Sequence, residues 1–102
     1  MIEKRKFQMV GGFDPAFPLS FNDVDLCLNL YSNGYTNLYT PYAELIHHES
    51  KTRGKALSDE AIAVNQDRYE YLKQKWPRIF DHPDPFISPN LKFDHFYLDR
   101  IQ

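Results

Sequence analysis

The chain has 102 residues, a formal net charge of −2 and one cysteine, Cys27. A chain of this length forms one domain or one piece of a larger domain. Its 12 Lys and Arg residues are balanced by 14 Asp and Glu residues. This balance argues against a nucleic-acid clamp and against a polybasic membrane anchor.

The cysteine count and the hydropathy pattern indicate the cellular compartment in which the protein resides. A lone thiol excludes an internal disulfide framework and fits a reducing environment. No apolar run approaches the roughly 20 residues of a membrane span. The N-terminal residues also lack the apolar region of a signal peptide. We therefore expect a cytoplasmic protein with no transmembrane segment and no nucleic-acid partner.

Aromatic residues make up 16% of the chain. Such rings could fill a core, line a sugar-like ligand or cover a partner domain, and composition does not choose among these roles.

The first residues carry little pattern. Phe7 and Met9 are two residues apart and would lie on the same side of an extended chain, which predicts a short strand over residues 7–10. Gly11 and Gly12 end it, and the chain turns through Phe13, Asp14 and Pro15.

A first main helix is predicted to begin between Ser20 and Asn22, with Ser20 as the N-cap and Asp23 completing a capping box. Gly34 is the natural residue to end it. The expected buried face has helical spacing and comprises Val24, Cys27, Leu28 and Tyr31. Asp25 is expected to act through first-turn electrostatics or a structural contact.

The remainder predicts two short strands, a second main helix and a tail. The strands cover residues 35–40 and 43–48, and a polar loop follows over 49–57. Ser58 caps a helix that runs to about Trp76, where Pro77 closes the pattern. The helical spacing places five residues on one face of this helix, namely Ala61, Val64, Arg68, Leu72 and Trp76. We predict a single partial domain, with a core over residues 1–80 and a proline-containing tail over residues 81–102.

Several short motifs follow one another in order. They are residues 11–14 (GGFD), 22–28 (NDVDLCL), 33–35 (NGY), 41–54 (PYAELIHHESKTRG) and 85–91 (PFISPNL). Their order and spacing resemble the C-terminal half of family-2 glycosyltransferases, particularly bacterial rhamnosyltransferase-like and O-antigen-type members.

The resemblance implies an α/β architecture, the acceptor-side portion of a GT-A fold with two main helices and a few short strands. Family members bind a nucleotide-sugar with an N-terminal half that ends in an Asp-x-Asp metal motif. This chain lacks that half, because its Asp23-Val24-Asp25 corresponds to a later acidic motif at a helix start. We therefore expect the isolated chain to be inactive and to self-associate through the apolar face meant for the missing half.

The resemblance also implies roles for individual residues. Asp23 is the candidate base for the acceptor hydroxyl in an inverting transfer from a nucleotide-sugar to a saccharide or lipid-linked acceptor. Without the resemblance, a first-turn carboxylate would be interpreted as a helix cap. The acceptor-binding candidates are Gly11, Gly12, Phe13, Asp14 and Asn22. Pro15 stands where the family more often has Glu, which makes the shape of this turn a point of difference.

The donor side is represented by two pairs of residues. His47 and His48 are the candidate metal ligands, with His47 favoured by position, for Mn²⁺ or Mg²⁺ in the full-length parent. No tightly bound metal is expected in this chain alone. Lys51 and Arg53 are the candidate diphosphate contacts, and a solvated basic loop is the competing interpretation.

Two other functions remain open from sequence. One is a non-catalytic module that binds glycan or protein. The other is a small metal-dependent hydrolase that uses His47, His48, Asp23 and Glu49. Enzymes that act at the membrane surface also fit, so the cytoplasmic location could be peripheral at the inner face of the membrane.

Overall fold

The computed structural model describes residues 1–48, 59–82, 84 and 85, together with the backbone of 91–94 and 97–100. The elements are α1 (Lys4–Met9), α2 (Asn22–Ser32), α3 (Asp59–Lys75), α4 (Pro77–Phe80), β1 (Leu91–Asp94) and β2 (Tyr97–Arg100). The two strands pair antiparallel, with Leu91 opposite Arg100 and Asp94 opposite Tyr97. The described part is therefore mainly helical, and the prediction of two main helices is confirmed by α2 and α3. The α/β GT-A architecture stays a prediction.

The predicted strand over residues 7–10 is wrong, because residues 4–9 form α1. The segment KRKFQM contains no β-branched residue and consists largely of good helix formers. Phe7 and Val10, three residues apart, are half-buried, whereas Met9 is 64% exposed. The apolar spacing is therefore helical, and the alternation in so short a window was misleading.

Helix α2 confirms the predicted position and corrects the predicted cap. Its N-cap is Phe21, with φ of 63°, and no side chain caps the helix there, so the prediction for Ser20 is wrong. The C-terminal end is as expected, since Gly34 adopts φ of +84°. The Tyr35 N–H donates to the Leu30 carbonyl and the Gly34 N–H to the Tyr31 carbonyl, which is the Schellman arrangement.

The buried face of α2 differs from the predicted one. Val24 and Tyr31 are 42% and 63% exposed, and Cys27 is also exposed. The buried residues are Asp25, Leu26 and Leu30. Apolar residues surround this helix on several sides, so the pattern did not define one face, and the contacts made by Asp25 selected another.

Helix α3 provides the other half of the core. It spans Asp59–Lys75, as predicted, while the predicted cap Ser58 lies outside the described residues. Of the residues predicted to share one face, Leu72 is 1% exposed and Arg68 is half-buried, whereas Val64 is 56% exposed, so only the C-terminal part of that face is buried. In the described part the buried hydrophobic residues are Phe17, Leu26, Leu30 and Leu72. The core thus lies where α2, α3 and the segment before α2 meet.

Residues 35–48 do not form the two predicted strands. They follow an irregular path with a turn at Pro41 and Tyr42, and the large apolar side chains of residues 38–46 are exposed. A strand needs a hydrogen-bonded neighbour, and within the described residues this segment has none. The predicted loop over 49–57 lies outside the described residues. Pro77 acts as predicted, because α3 ends before it and α4 begins at it.

The core position of α3 can be tested with Leu72→Ala. Removing this side chain, which is 1% exposed, should lower the free energy of unfolding by about 2–5 kcal/mol. The matched control on the same helix is Val64→Ala, which should change it by less than about 0.5 kcal/mol. Urea unfolding followed by circular dichroism measures both. Equal effects of the two variants would contradict the described orientation of α3.

Candidate functional site

One lysine joins three parts of the chain that are distant in sequence. Lys75 Nζ lies 2.8 Å from Asp14 Oδ2, and 2.9 Å and 3.1 Å from Asp25 Oδ1 and Oδ2. Trp76 Nε1 donates a hydrogen bond of 2.8 Å to Asp25 Oδ1. We call Asp14, Asp25, Lys75 and Trp76 the lysine-bridged cluster. It links the turn after α1, the first turns of α2 and the end of α3.

Burial makes this cluster energetically important. The Asp25 side chain is 2% exposed, against 27% for Lys75 and 21% for Asp14. A buried carboxylate requires compensation by charge and hydrogen bonds. Here Lys75 supplies the charge and Trp76 a further donor, so Asp25 is fully paired. The prediction that Asp25 makes a structural contact is consistent with this geometry.

The cluster also shifts the pKa values of Asp14 and Lys75. The hydrogen bond from Lys75 is the main cause that lowers the pKa of Asp14 below its ordinary 3.8, helped by the Ala16 N–H. For Lys75, burial by itself favours the neutral amine. The hydrogen bonds and charges of Asp14 and Asp25 outweigh that effect and raise the Lys75 pKa above 10.5. The ion pairs therefore stabilise the fold between acidic and strongly alkaline pH.

The lysine-bridged cluster is one anchor of α2, and aromatic contacts at the start of the helix form a second. Phe21 has the left-handed φ of 63°, which a bulky residue adopts only at an energetic cost. Its ring lies 6.0 Å from that of Tyr69, which in turn meets Phe80 edge-on at 5.9 Å. Aromatic contacts with α3 and α4 thus accompany the strained residue that directly precedes Asn22 and Asp23.

Asp23 lies between these two anchors and faces outward. Residues two apart on a helix are separated by about 200° around its axis, so the register that buries Asp25 exposes Asp23. The hydrogen bonds described for Asp23 are local. Its Oδ1 accepts from the Val24 N–H at 2.9 Å, and its own N–H donates to Asn22 Oδ1 at 2.8 Å. The carboxylate of Asp23 is therefore available to an incoming group.

The turn over residues 11–14 is built from two left-handed glycines, Gly11 with φ of +85° and Gly12 with φ of +70°. A Cβ on Gly12 would lie 3.1 Å from the Phe7 ring, whereas one on Gly11 would meet nothing within 4 Å. The close approach at Gly12 is therefore made by the protein itself, and the open side of the turn is at Gly11. Phe13 is 52% exposed and packs edge-on against Phe7 at 5.2 Å.

Asp14 has structural contacts that the sequence did not indicate. Its Oδ1 accepts from the Ala16 N–H at 2.9 Å, and its Oδ2 is paired with Lys75. Each oxygen retains a lone pair for a further donor. The acceptor-binding prediction for Asp14 is left untested by this geometry, but the residue also fixes the turn to α3.

The donor-side candidates are less defined. His47 and His48 are exposed in segment 35–48, and Lys51 and Arg53 lie outside the described residues. Among the described residues, no three His, Cys, Asp or Glu side chains come together to hold a metal ion. These residues do not by themselves fit Mn²⁺ or Mg²⁺, and the role of the histidines as metal ligands stays a prediction. The alternative hypothesis of a metal-dependent hydrolase includes Glu49, which is also outside the described residues.

Sequence reasoning missed the part of Lys75 in this site. A lysine in the last turn of a helix has an ordinary explanation in the helix dipole. Nothing in the pattern pairs it with Asp14, 61 residues earlier. The cluster therefore brings the predicted turn and the predicted base-bearing helix together through a residue that was assigned no role.

Several known proteins are similar in sequence to this chain. An uncharacterised protein of Sinorhizobium fredii is 38% identical over 95 residues, or 92% of this chain and 10% of that protein. The N-acetylglucosaminyl-diphospho-decaprenol L-rhamnosyltransferase of Mycobacterium tuberculosis is 29% identical over 75 residues, or 74% of this chain and 24% of the enzyme. An O-antigen biosynthesis protein of Myxococcus xanthus is 31% identical over 93 residues, or 89% of this chain and 7% of that protein.

These matches place the chain among glycosyltransferase relatives. It is homologous to a segment of bacterial rhamnosyltransferase and O-antigen biosynthesis proteins, which confirms the resemblance seen in its motifs. The chain spans 7–24% of the length of these three relatives. No family model and no solved structure matches it. Within the described residues, no helix combines the length and apolar character of a membrane crossing.

The electrostatic role of Asp14 can be tested by pH. Its folded-state pKa is lowered, so its carboxylate stabilises the fold at pH above 3.8 and this contribution is lost as pH falls through the folded-state value. The free energy of unfolding should therefore decrease less between about pH 6 and about pH 3 in Asp14→Asn than in the unaltered chain. Urea unfolding at a series of pH values measures this. If the free energy of unfolding fell by the same amount over this pH range in both proteins, the ion pair of Asp14 with Lys75 would be ruled out.

Proposed function

We propose that the chain is the acceptor-side part of an inverting family-2 glycosyltransferase. In this reaction a sugar moves from a nucleotide-sugar to a saccharide or lipid-linked acceptor. The names of two relatives support the class. The observation that carries the proposal is the exposure of Asp23 on a helix turn that is anchored on both sides, by Phe21 and by Asp25.

Asp23 is the proposed base. Its carboxylate takes the proton of the acceptor hydroxyl while the hydroxyl oxygen forms a bond to the anomeric carbon. The bond from that carbon to the diphosphate breaks, and the nucleoside diphosphate leaves with the bonding electrons. An exposed carboxylate on a fixed turn suits this task, because catalysis depends on holding the base and the reacting oxygen in a defined geometry.

The acceptor enters, in this proposal, beside the turn of residues 11–14. Gly11 has open space on its side-chain face, and Phe13 offers a half-exposed ring on which a sugar face can pack. Asn22, at the start of α2, adds an amide close to Asp23 in sequence. These groups provide an apolar surface and polar partners for hydroxyl groups.

The same proposal includes a sugar donor and a cellular location for the enzyme. The Mycobacterium relative is named as a rhamnosyltransferase that acts on a lipid-linked N-acetylglucosaminyl diphosphate. A dTDP-rhamnose or UDP-sugar donor is therefore the first to test, with Lys51 and Arg53 as diphosphate contacts and His47 or His48 near the metal. The proposed location is the cytoplasm, peripheral at the inner face of the membrane, where the enzyme can reach a lipid-linked acceptor.

Exposed apolar side chains identify the surface that is proposed to meet the remainder of such an enzyme. Within segment 38–46, five large side chains are 84–96% exposed, namely Leu38, Tyr39, Tyr42, Leu45 and Ile46. An apolar surface of this kind usually contacts another protein surface. In the isolated chain, a second copy of the same segment takes that place.

The base is tested by Asp23→Asn in the complete gene product. Transfer of radiolabelled sugar to a polyprenyl-diphosphate-linked N-acetylglucosamine should fall by about 10²–10⁴-fold, because the amide cannot accept the proton. The melting temperature should change little, since Asp23 is exposed. The matched control is Asp67→Asn, an exposed carboxylate on α3, which should retain full activity.

Two results would overturn the catalytic role. Unchanged transfer by Asp23→Asn would remove Asp23 as the base. Absence of transfer with every nucleotide-sugar, combined with saturable binding of an oligosaccharide to the gene product, would favour the non-catalytic glycan-binding alternative.

The apolar surface is tested by the association state of the isolated chain. The double variant Leu45→Ser and Ile46→Ser should shift the sedimentation coefficient towards that of a monomer, because it removes two of the most exposed apolar side chains. Val24→Ser on α2, where Val24 is 42% exposed, is a control that removes an exposed apolar side chain away from this segment. Sedimentation of the unaltered chain as a monomer at all concentrations would contradict the prediction.

A further inference from the structure

We propose that Lys75 is a positioning residue that couples the acceptor turn of residues 11–14 to the base-bearing turn of α2. This inference rests on the proposed function, in which Asp23 is the base. Lys75 itself contacts neither the acceptor nor the donor in this proposal. It acts through Asp14 on one side and Asp25 on the other.

The geometry makes Lys75 the only described side chain that bonds both carboxylates. Asp14 ends the turn that offers Gly11 and Phe13 to the acceptor. Asp25 lies two residues after Asp23 on α2. One ammonium group therefore sets the separation between the place where the acceptor is held and the place where its proton is removed.

The position of Lys75 is itself well determined. Its Nζ also lies 5.8 Å from the centre of the Phe17 ring and 5.5 Å from that of Trp76. Phe17 is 1% exposed and belongs to the core. The ammonium is thus held by two carboxylates and two aromatic faces, which leaves it little freedom to move.

Stability alone is a poor explanation for such a cluster. Replacing a buried ion pair by apolar residues of similar size is often neutral or stabilising. A charged bridge does, however, impose distances and directions that apolar packing does not. The cluster is therefore suited to fixing geometry, and displacement of a reacting group by about 1 Å can cost about 10²-fold in rate.

The test compares Lys75→Met, Lys75→Arg and Lys73→Met in the complete gene product, with kcat and KM measured for donor and acceptor separately. Lys75→Met should lower kcat by about 10²-fold and raise the acceptor KM, with the donor KM unchanged. Lys75→Arg keeps a cation between the carboxylates and should retain more of kcat than Lys75→Met. Lys73→Met removes a half-buried lysine of the same helix, which pairs with Glu70 and lies over the Tyr69 ring but bonds neither Asp14 nor Asp25, and it should leave kcat and both KM values within about twofold of those of the unaltered protein.

Amide hydrogen exchange provides a readout that does not need activity. In Lys75→Met, exchange should accelerate both at residues 11–14 and at residues 22–25, because the turn and the helix lose their common partner. If Lys75→Met does not fold, Asp14→Asn is the second variant. It removes the ion pair to the turn and leaves Asp25 paired with Lys75, so exchange should accelerate at residues 11–14 and remain unchanged at residues 22–25.

The outcomes separate this inference from the function on which it rests. If Asp23→Asn abolishes transfer but folded Lys75→Met retains kcat and acceptor KM, the positioning role is wrong and the base remains. If exchange accelerates throughout α3 and not at the two turns, Lys75 has only a local structural role and the inference is overturned. If Asp23→Asn retains transfer, the proposed base is wrong and the inference falls with it.

Discussion

The buried pairing of Asp25 with Lys75 is the contact on which the rest of this structure depends. Asp25 lies among apolar neighbours on α2, and its carboxylate is almost completely removed from water. Helix α2 can pack in this register only because a cation and the Trp76 N–H are available at the end of α3. Removing either charge of such a buried pair typically costs about 3–5 kcal/mol, because the other is left uncompensated. In a chain with a small core, that is a large part of the total stability.

The same pairing determines which acid of α2 remains available for chemistry. Asp23 and Asp25 stand on nearly opposite sides of the helix, so burial of one exposes the other. Phe21 reinforces this choice from the N-terminal side, where its backbone is left-handed and its ring packs against that of Tyr69. The proposed base is therefore exposed as a direct consequence of a structural ion pair. Fold stability and the proposed chemistry share one set of contacts.

Local signals predicted the helices well where they were strong. The Schellman turn at Gly34 and the break at Pro77 correspond to the expected ends of α2 and α3. Predictions failed where a local pattern was short or ambiguous. Alternation over a few residues suggested a strand where α1 forms, and apolar residues on several sides of α2 concealed its buried face. The two strands expected over 35–48 needed a neighbour, which alternation within a segment cannot supply.

The sequence by itself determined the extent of the two main helices, the glycine turn, and a set of motifs sufficient to identify glycosyltransferase relatives. These features depend on residues within one or two turns of each other, and such short-range preferences can be recognised from the residues alone. Only the tertiary structure decided that Asp25 is buried, that Asp23 is exposed, and that Lys75 joins α2 to the turn at Asp14. Those outcomes depend on charges 50 and 61 residues apart in the chain, which meet only when α2 and α3 pack together.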